Sequence, residues 1–333
     1  MKMSLYPPVH HKLSCIEICS GAGGQALGLE SAGFHAKAHV EYDPHACATL
    51  RLNRPHWNVV EGDVREFCAK EFREIDLLAG GVPCPPFSKA GKQLGANDER
   101  DLFPEALRLV DECRPKAVML ENVRGFLDAV FTDYRMSLKK QLKAMGYDAS
   151  WHLLNASDFG VPQLRPRVVI VAIREELASS FYPPMPLTDG IRTKTVGETL
   201  VDLMAENGWE GALEWAAKAN EIAPTLVGGS KKHGGADLGP TRARKAWASL
   251  GVNGISLGNE SPPKGFTGMP RLTLRMAARI QGFPDDWHFA GGKTAAYRQI
   301  GNAFPPPVAY AVASKIRQAI LDSQTVTKHK SKR

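Results

Sequence analysis

The chain has 333 residues, of which 43% are hydrophobic and 23% are charged, so it is not a disordered, collagen-like or coiled-coil sequence. Its 42 Lys and Arg residues exceed its 35 Asp and Glu residues, and the formal net charge of +7 favours a polyanionic partner. It has no apolar run of the about 20 residues that a membrane span needs, and its start lacks a signal peptide's apolar core, so we expect a cytoplasmic protein.

The first half of the sequence alternates short apolar runs with helix-length amphipathic segments. Such alternation predicts an α/β fold in which a mostly parallel sheet is covered by helices on both faces. Strands are predicted over 15–19, 38–41, 75–79, 117–120 and 167–173, with a short one ending at Asp63, and helices over 24–31, from Pro44 onwards, and over 102–113 and 134–145.

The second half of the sequence is less regular. Prolines and glycines interrupt the alternation over about 181–270, which predicts a smaller, irregular second domain. Helices are predicted again over 272–281, with Thr273 as the cap, and over 309–320. We therefore expect a main domain formed by residues 12–180 and 271–322, a second domain over 181–270, and a basic tail over 323–333.

A glycine-containing loop follows the first predicted strand, in the segment Cys19-Ser20-Gly21-Ala22-Gly23-Gly24. The crevice beyond the carboxyl end of such a strand binds ligands, and glycines let a ligand approach the backbone. Glu41 ends the next strand, where a carboxylate accepts ribose hydroxyls, and Asp63, which precedes Val64, is placed to accept an adenine amino group. The G-x-G-G spacing is not the G-x-G-x-x-G of pyrophosphate binders, so S-adenosylmethionine fits best. By itself the loop also suits a ligand-free turn or a nicotinamide enzyme.

Cys84 lies in the segment VPCPPFS, just after the predicted strand 75–79. The 6 cysteines include no C-x-x-C pair, so neither a zinc site nor a disulfide framework is expected. Most free cysteines are inert and buried, but prolines on both sides hold this thiol in a rigid loop. Glu121 ends the following strand in ENV, and Arg165 and Arg167 stand in QLRPR. Both arginines are either ordinary surface residues or clamps for a phosphate or a base carbonyl at the same sheet edge.

Six segments occur in a fixed order: ICSGAGG, VPCPPFS, ENV, QLRPR, RLTLRMAARIQGFP and QIGNAFPPPV. As a series they resemble the motifs of the DNA (cytosine-5)-methyltransferases, over about 14–174 and 272–320. The resemblance implies a Rossmann-like S-adenosylmethionine-dependent methyltransferase sheet, with 181–270 as a target-recognition domain. It also implies methyl transfer to carbon 5 of a cytosine that is flipped out of the duplex.

The resemblance implies a separate role for each of the four residues that are expected to carry out the reaction. Cys84 would add to carbon 6 of the cytosine, and Glu121 would hydrogen-bond or protonate ring nitrogen 3. Arg165 would support the ring carbonyl and the thiolate, whereas Arg167 would anchor Glu121 or the loop.

The resemblance also extends the cofactor site. The added contacts are Tyr42, Gly81, Pro83, Leu102, Asn302 and Ala303. Two positions depart from the family pattern. Cys19 stands where a phenylalanine usually packs beside the adenine, and Pro85 replaces a glutamine that commonly follows the nucleophile.

Basic residues are concentrated in the segment 228–250, which contains one acid, Asp237. A solvated basic loop is one interpretation; the other is a segment that enters a DNA groove. Thr225 resembles part of a short motif that precedes the recognition region, and Ser88 and Lys92 lie in a stretch expected to close over DNA. The basic candidates for DNA contacts are Lys231, Lys232, Arg242, Arg244 and Lys245.

The leading hypothesis is a sequence-specific DNA cytosine-5 methyltransferase from a restriction–modification system, or a solitary methylase. The expected partner is double-stranded DNA, and a cognate restriction endonuclease acting on the same site is a second one. We expect a monomer that needs neither a metal nor a membrane. The alternatives are the same chemistry on transfer RNA, a nicotinamide oxidoreductase, and a catalytically silent DNA-binding protein.

Overall fold

The computed structural model describes residues 13–83, 101–186, 192–229 and 235–330. Within these ranges seven strands form one sheet, and helices pack on it and beyond it. The strands are β1 (Leu13–Ile18), β2 (Phe34–Glu41), β3 (Val59–Glu61), β4 (Leu77–Gly80), β5 (Ala117–Val123), β6 (Tyr147–Asn155) and β7 (Pro166–Arg174). The helices are α1 (Gly24–Ser31), α2 (Pro44–Asn53), α3 (Phe103–Cys113), α4 (Thr132–Ala144), α5 (Glu175–Ala178), α6 (Val196–Ala205), α7 (Ala212–Lys218), α8 (Thr241–Ser249), α9 (Leu274–Ile280), α10 (Lys293–Asn302) and α11 (Pro306–Lys330).

The strand order is β3-β2-β1-β4-β5-β7-β6. The first five strands in this order are parallel, and β7 runs antiparallel to both of its neighbours. The prediction of a mostly parallel sheet is thereby confirmed. The sequence analysis missed β6 because this strand at the sheet edge is only half buried and carries no continuous apolar run.

Both faces of the sheet are covered, as predicted. On one face Ile16, Leu78 and Val118 belong to a core that includes α3 and α4. On the other face Leu77 and Met119 belong to a core that includes α1 and α11. Alternate residues of the same strands therefore point into two separate cores, which is the period-2 geometry of a strand.

The carboxyl ends of the central strands meet at one edge. The register aligns Ile18 of β1 with Gly80 of β4, and Gly80 with Leu120 of β5. A Cβ on Gly80 would lie 2.6 Å from the carbonyl oxygen of Ile18, so only glycine lets the two strands approach this closely. This edge brings together the loop after β1, the end of β2 and the segments after β4 and β5.

The region expected to be irregular contains three helices, α6, α7 and α8, around a third hydrophobic core. Thr195 begins α6 with a capping box, and Trp247 of α8 is fully buried. Thr273 caps α9 as predicted. Helix α11 continues to Lys330, so part of the predicted tail is helical. In the described ranges, no helix combines the length and the hydropathy of a membrane span.

Candidate active site

The loop between β1 and α1 has a left-handed backbone at three positions. Cys19, Gly21 and Gly23 have φ angles of 50°, 53° and 89°. Gly23 begins α1, and a Cβ on it would lie 2.8 Å from Cζ2 of Trp287. A Cβ on Gly24 would lie 2.3 Å from the carbonyl oxygen of Phe304. Glycine is therefore required at Gly23 and Gly24 by close packing, and the loop lies directly against the chain that returns from residues 287–304.

Glu41 ends β2 beside this loop and is only 6% exposed. Its Oε2 accepts a hydrogen bond from Gly21 N (2.7 Å), and its Oε1 accepts from Tyr42 N (3.0 Å) and Asp43 N (2.8 Å). Burial raises the pKa of Glu41, and the three N–H donors oppose that shift. A carboxylate has about four acceptor positions, so one, on Oε2, remains open for a ligand hydroxyl.

Asp63 follows β3 and lies closer to solvent. Its Oδ1 accepts from Arg65 N and its Oδ2 from Arg65 Nη1, each at 2.9 Å. Val64 is buried, whereas the neighbouring aromatic side chain of Tyr42 is 64% exposed. Burial raises the pKa of the Cys19 thiol, which disfavours its thiolate form and therefore a role as a nucleophile.

Glu121 at the end of β5 forms an ion pair with Arg167 of β7. The distance from Arg167 Nε to Glu121 Oε1 is 2.8 Å, and both side chains are 12% exposed. The antiparallel register places Arg167 opposite Val123, two residues from Glu121 on the same face, which explains the contact. Burial raises the pKa of Glu121 above its ordinary value of 4.5, and Arg167 and Arg165 oppose this. A Cβ on Gly81 would lie 3.6 Å from Glu121 Oε2, so the carboxyl group faces the segment after β4.

The start of that segment is fixed by Asn122. Its Nδ2 donates to the carbonyl oxygen of Val82 at 3.0 Å. Pro83 follows and is exposed. The predicted nucleophile Cys84, with Ser88 and Lys92, lies outside the described residues, but Val82 places the chain beside Glu121 two residues before Cys84.

Arg165 precedes β7 and is completely buried. Nη1 donates to Gln163 Oε1 (3.3 Å) and Leu226 O (2.8 Å), and Nη2 donates to Gly301 O (2.6 Å) and Ala303 O (3.1 Å). All four Nη–H groups are thus used within the protein, and only Nε lacks a partner. Burial and the nearby Arg167 lower the pKa of Arg165. Only the Nε–H of Arg165 is therefore left to donate the expected hydrogen bond to a ring carbonyl.

Three of the other predicted cofactor residues, Leu102, Asn302 and Ala303, have defined contacts. Ala303 lies beside the glycine loop, because a Cβ on Gly24 would lie 3.1 Å from its methyl group. Asn302 Nδ2 donates to the carbonyl oxygen of Gly229 at 3.2 Å. Leu102 immediately precedes α3 and packs against the core that this helix forms with the sheet.

The predicted DNA-contacting residues fall into two groups. Thr225 Oγ1 donates to Leu164 O, which ties this segment to the chain just before β7. Arg242 and Lys245 are exposed on α8 and Arg244 is partly exposed. Among the described residues, no carboxylate forms an ion pair with any of these three cations. Lys231 and Lys232 lie outside the described residues.

Sequence reasoning missed three buried residues that hold the site together. Gln163 Nε2 donates to Gln281 Oε1 at 2.8 Å, and Gln281 Nε2 donates to Ala303 O at 2.5 Å. Trp287 Nε1 donates to Ala22 O of the glycine loop at 3.1 Å. Trp287 is separated from that loop by more than 260 residues in the sequence. No local pattern indicates such a contact; only the return of the last helices to the main domain suggested that distant residues would complete the pocket.

Three comparisons with known proteins bear on this site. The family model described as C-5 cytosine-specific DNA methylase matches residues 13–318. The type II methyltransferase M.NgoMIV of Neisseria gonorrhoeae is 58% identical over 313 residues, which are 93% of this chain and 98% of the relative. The type II methyltransferase M.NaeI of Lentzea aerocolonigenes is 57% identical over 314 residues, 92% of this chain and 75% of the relative.

Solved structures agree with the fold. A prophage-encoded DNA modification methyltransferase of E. coli matches with a TM-score of 0.66 and 25% identity, over 93% of this chain and 100% of the other. The Dnmt2 methyltransferase of S. pombe matches with a TM-score of 0.62 and 18% identity, over 92% of this chain and 99% of the other. At 18% identity, the similarity to the S. pombe protein shows a shared fold and nothing further.

Proposed function

The chain belongs to the C-5 cytosine-specific DNA methylase family, and from that premise we propose how its own residues perform the reaction and on what DNA. It is a DNA cytosine-5 methyltransferase of the restriction–modification type. This membership excludes the nicotinamide oxidoreductase alternative, and the type II relatives do not favour transfer RNA as the substrate.

The observation that carries the proposed mechanism is the position of Glu121. Its buried carboxyl group is held by Arg167 at 2.8 Å and faces Gly81, three residues before Cys84. The bond from Asn122 to Val82 fixes the chain between them. A carboxyl group and a guanidinium therefore lie at one sheet edge, and Cys84 follows Gly81 by three residues in the sequence; this set of groups suits addition to a pyrimidine ring.

In the proposed reaction Cys84 attacks carbon 6 of the flipped-out cytosine as a thiolate. The electron pair of the 5,6 double bond moves towards carbon 5, while Glu121 donates a proton to ring nitrogen 3. Burial raises the pKa of Glu121, which favours the protonated form that this step needs. After carbon 5 takes the methyl group, its proton passes to solvent water, the 5,6 double bond re-forms, the thiolate leaves carbon 6, and ring nitrogen 3 returns its proton to Glu121. Arg167 keeps Glu121 oriented throughout, and Arg165 holds the surrounding chain.

The residues around the glycine loop fit S-adenosylmethionine, which supplies an electrophilic methyl group. Ligand space is available above Gly21 and Gly62, because a Cβ built on either would have nothing within 4 Å. Glu41 offers one free acceptor position to a ribose hydroxyl, and Asp63 remains accessible to an adenine amino group. Tyr42 supplies an exposed aromatic face where Cys19 does not.

The target-recognition surface is proposed to include α8. The cations that α8 presents form no ion pair with a described carboxylate, and such unpaired positive charge attracts phosphates; they are Arg242, Arg244 and Lys245. Thr225 connects this region to the active-site edge through Leu164. We propose double-stranded DNA in a bacterial cytoplasm as the substrate, a cognate endonuclease as a partner in the cell, and a monomer as the active form, since one chain supplies every residue of the site.

The function is tested by expressing the chain in a methylation-free host and sequencing the genome for 5-methylcytosine. We expect methylation at one recurring sequence, and its absence on genomic and plasmid DNA would contradict the proposal. Incubation with labelled S-adenosylmethionine and either duplex DNA or transfer RNA gives the second readout. Label in RNA alone would favour the alternative.

A further inference from the structure

An indole ring supports the glycine loop from the side of the third hydrophobic core. Trp287 is buried, its Nε1 lies 3.1 Å from Ala22 O, and its ring carbon Cζ2 lies 2.8 Å from the position of a Cβ on Gly23. We propose that Trp287 is a positioning residue for the cofactor, which holds the loop in its binding conformation without touching a reacting atom. The proposal rests on the proposed S-adenosylmethionine site.

The loop needs such a support because its backbone is unusual. Three of its residues have positive φ angles, including Cys19, for which this region is unfavourable. Helix α1, which the loop begins, has no side-chain hydrogen bond at its N-cap Gly23. Contacts from outside the loop therefore hold this conformation together with the bond from Gly23 N to Ser20 O within it.

Trp287 fixes one peptide group of the loop together with Ser20. The carbonyl of the Ala22–Gly23 peptide accepts from Trp287 Nε1, and its N–H donates to Ser20 O at 3.2 Å. Both polar groups of this peptide are thus bonded, and its plane cannot rotate without breaking them. The preceding residue of the loop, Gly21, donates its N–H to Glu41 Oε2. This hydrogen bond orients the carboxylate that is proposed to bind the ribose. A change at Trp287 is therefore transmitted to the cofactor pocket.

The indole itself is held in place by other rings. Its centroid lies 6.1 Å from that of Trp57, and Trp57 stacks on His39 at 4.3 Å. His39 in turn bonds to Glu17 at 2.8 Å. The guanidinium of Arg54 lies 5.3 Å from the Trp287 ring, within cation–π distance. These contacts fix the position of the Trp287 ring, so its N–H points to the loop in a defined orientation.

The test is Trp287→Phe, which keeps an aromatic ring and removes the N–H donor. Trp215→Phe is the matched control, because Trp215 is equally buried and its Nε1 donates to Gly251 O, also at 3.1 Å, away from the loop. Isothermal titration calorimetry measures the Kd of S-adenosylhomocysteine for each full-length protein. We expect a rise of about fivefold for Trp287→Phe, the equivalent of about 1 kcal/mol for one neutral hydrogen bond, and less than twofold for the control.

Steady-state kinetics separate positioning from general loss of structure. Trp287→Phe should raise the KM for S-adenosylmethionine and leave the KM for DNA unchanged. A Kd within twofold of the wild type would overturn the proposal, as would equal effects of both variants or equal increases in both KM values. Failure of the wild-type protein itself to bind S-adenosylhomocysteine would instead contradict the proposed function.

Discussion

Replacing Arg165 by methionine tests whether the hydrogen bonds of its guanidinium contribute to the free energy of unfolding. The substitution keeps an unbranched side chain and removes the guanidinium that bonds to Leu226 O, Gly301 O and Ala303 O. Ala303 O keeps the donor Gln281 Nε2, so two buried carbonyl groups lose their partners. Each unsatisfied buried acceptor costs about 1–3 kcal/mol, and relief from burying a charge without a carboxylate partner offsets part of this. We expect a net destabilisation of about 2–4 kcal/mol.

Urea unfolding followed by circular dichroism gives the free energy of unfolding of wild type and variant by linear extrapolation. Arg242→Met is the control, because Arg242 is exposed on α8, and its free energy should stay within about 0.5 kcal/mol of the wild type. A catalytic role for Arg165 without a structural one predicts a stable, inactive Arg165→Met protein. A variant as stable as the control would therefore refute the reasoning.

Three further predictions concern the pocket, the carboxyl group and the DNA surface. Gly24→Ala places a methyl group 2.3 Å from Phe304 O and should weaken S-adenosylhomocysteine binding measured by calorimetry, whereas Gly292→Ala, with nothing within 4 Å and outside the proposed pocket, should not; equal Kd values would contradict the close packing. Because burial raises the pKa of Glu121 above 4.5, its contribution to stability is full below that value and is lost as pH rises through the folded-state pKa. The stability of the wild type relative to Glu121→Gln should thus fall as the pH is raised above 4.5 in urea unfolding, and an increase in relative stability would contradict the direction of the pKa shift. Arg244→Ala should reduce the slope of log K for DNA against log salt by about 1; an unchanged slope in fluorescence anisotropy would show that Arg244 contacts no phosphate.

Much of the sheet could be predicted from the sequence because its central strands are apolar throughout. Leu77 and Leu78 are both fully buried, on opposite faces, and such runs are typical of parallel strands. Strand β6 was missed since its half-buried residues carry no such signal. Helices α6, α7 and α8 were missed because Pro and Gly are frequent around them, although Thr195 and Glu198 form a capping box that could have indicated α6.

The site residues that lie at the ends of strands could be predicted from the sequence. Glu41 ends β2 and Glu121 lies near the end of β5, two parallel strands that β1 and β4 separate, and local sequence is enough to place both at one edge. The roles of Arg165 and Arg167 differ for a reason that spacing cannot reveal. Arg165 lies before β7 among carbonyl groups of distant segments, while Arg167 lies within β7 beside Glu121. The contact between Trp287 and Ala22 likewise depends on how the chain returns to the sheet.

The proposed chemistry depends on a covalent bond between the Cys84 sulfur and carbon 6 of the extruded cytosine. A duplex with 5-fluorocytosine at the methylated position tests it most directly, because fluorine at carbon 5 cannot leave as a proton and the final elimination stops. With S-adenosylmethionine present, we expect a denaturation-resistant protein–DNA adduct whose peptide map places the modification on Cys84. The same adduct from a Cys84→Ala protein, or methylation of ordinary DNA by that variant, would contradict the mechanism.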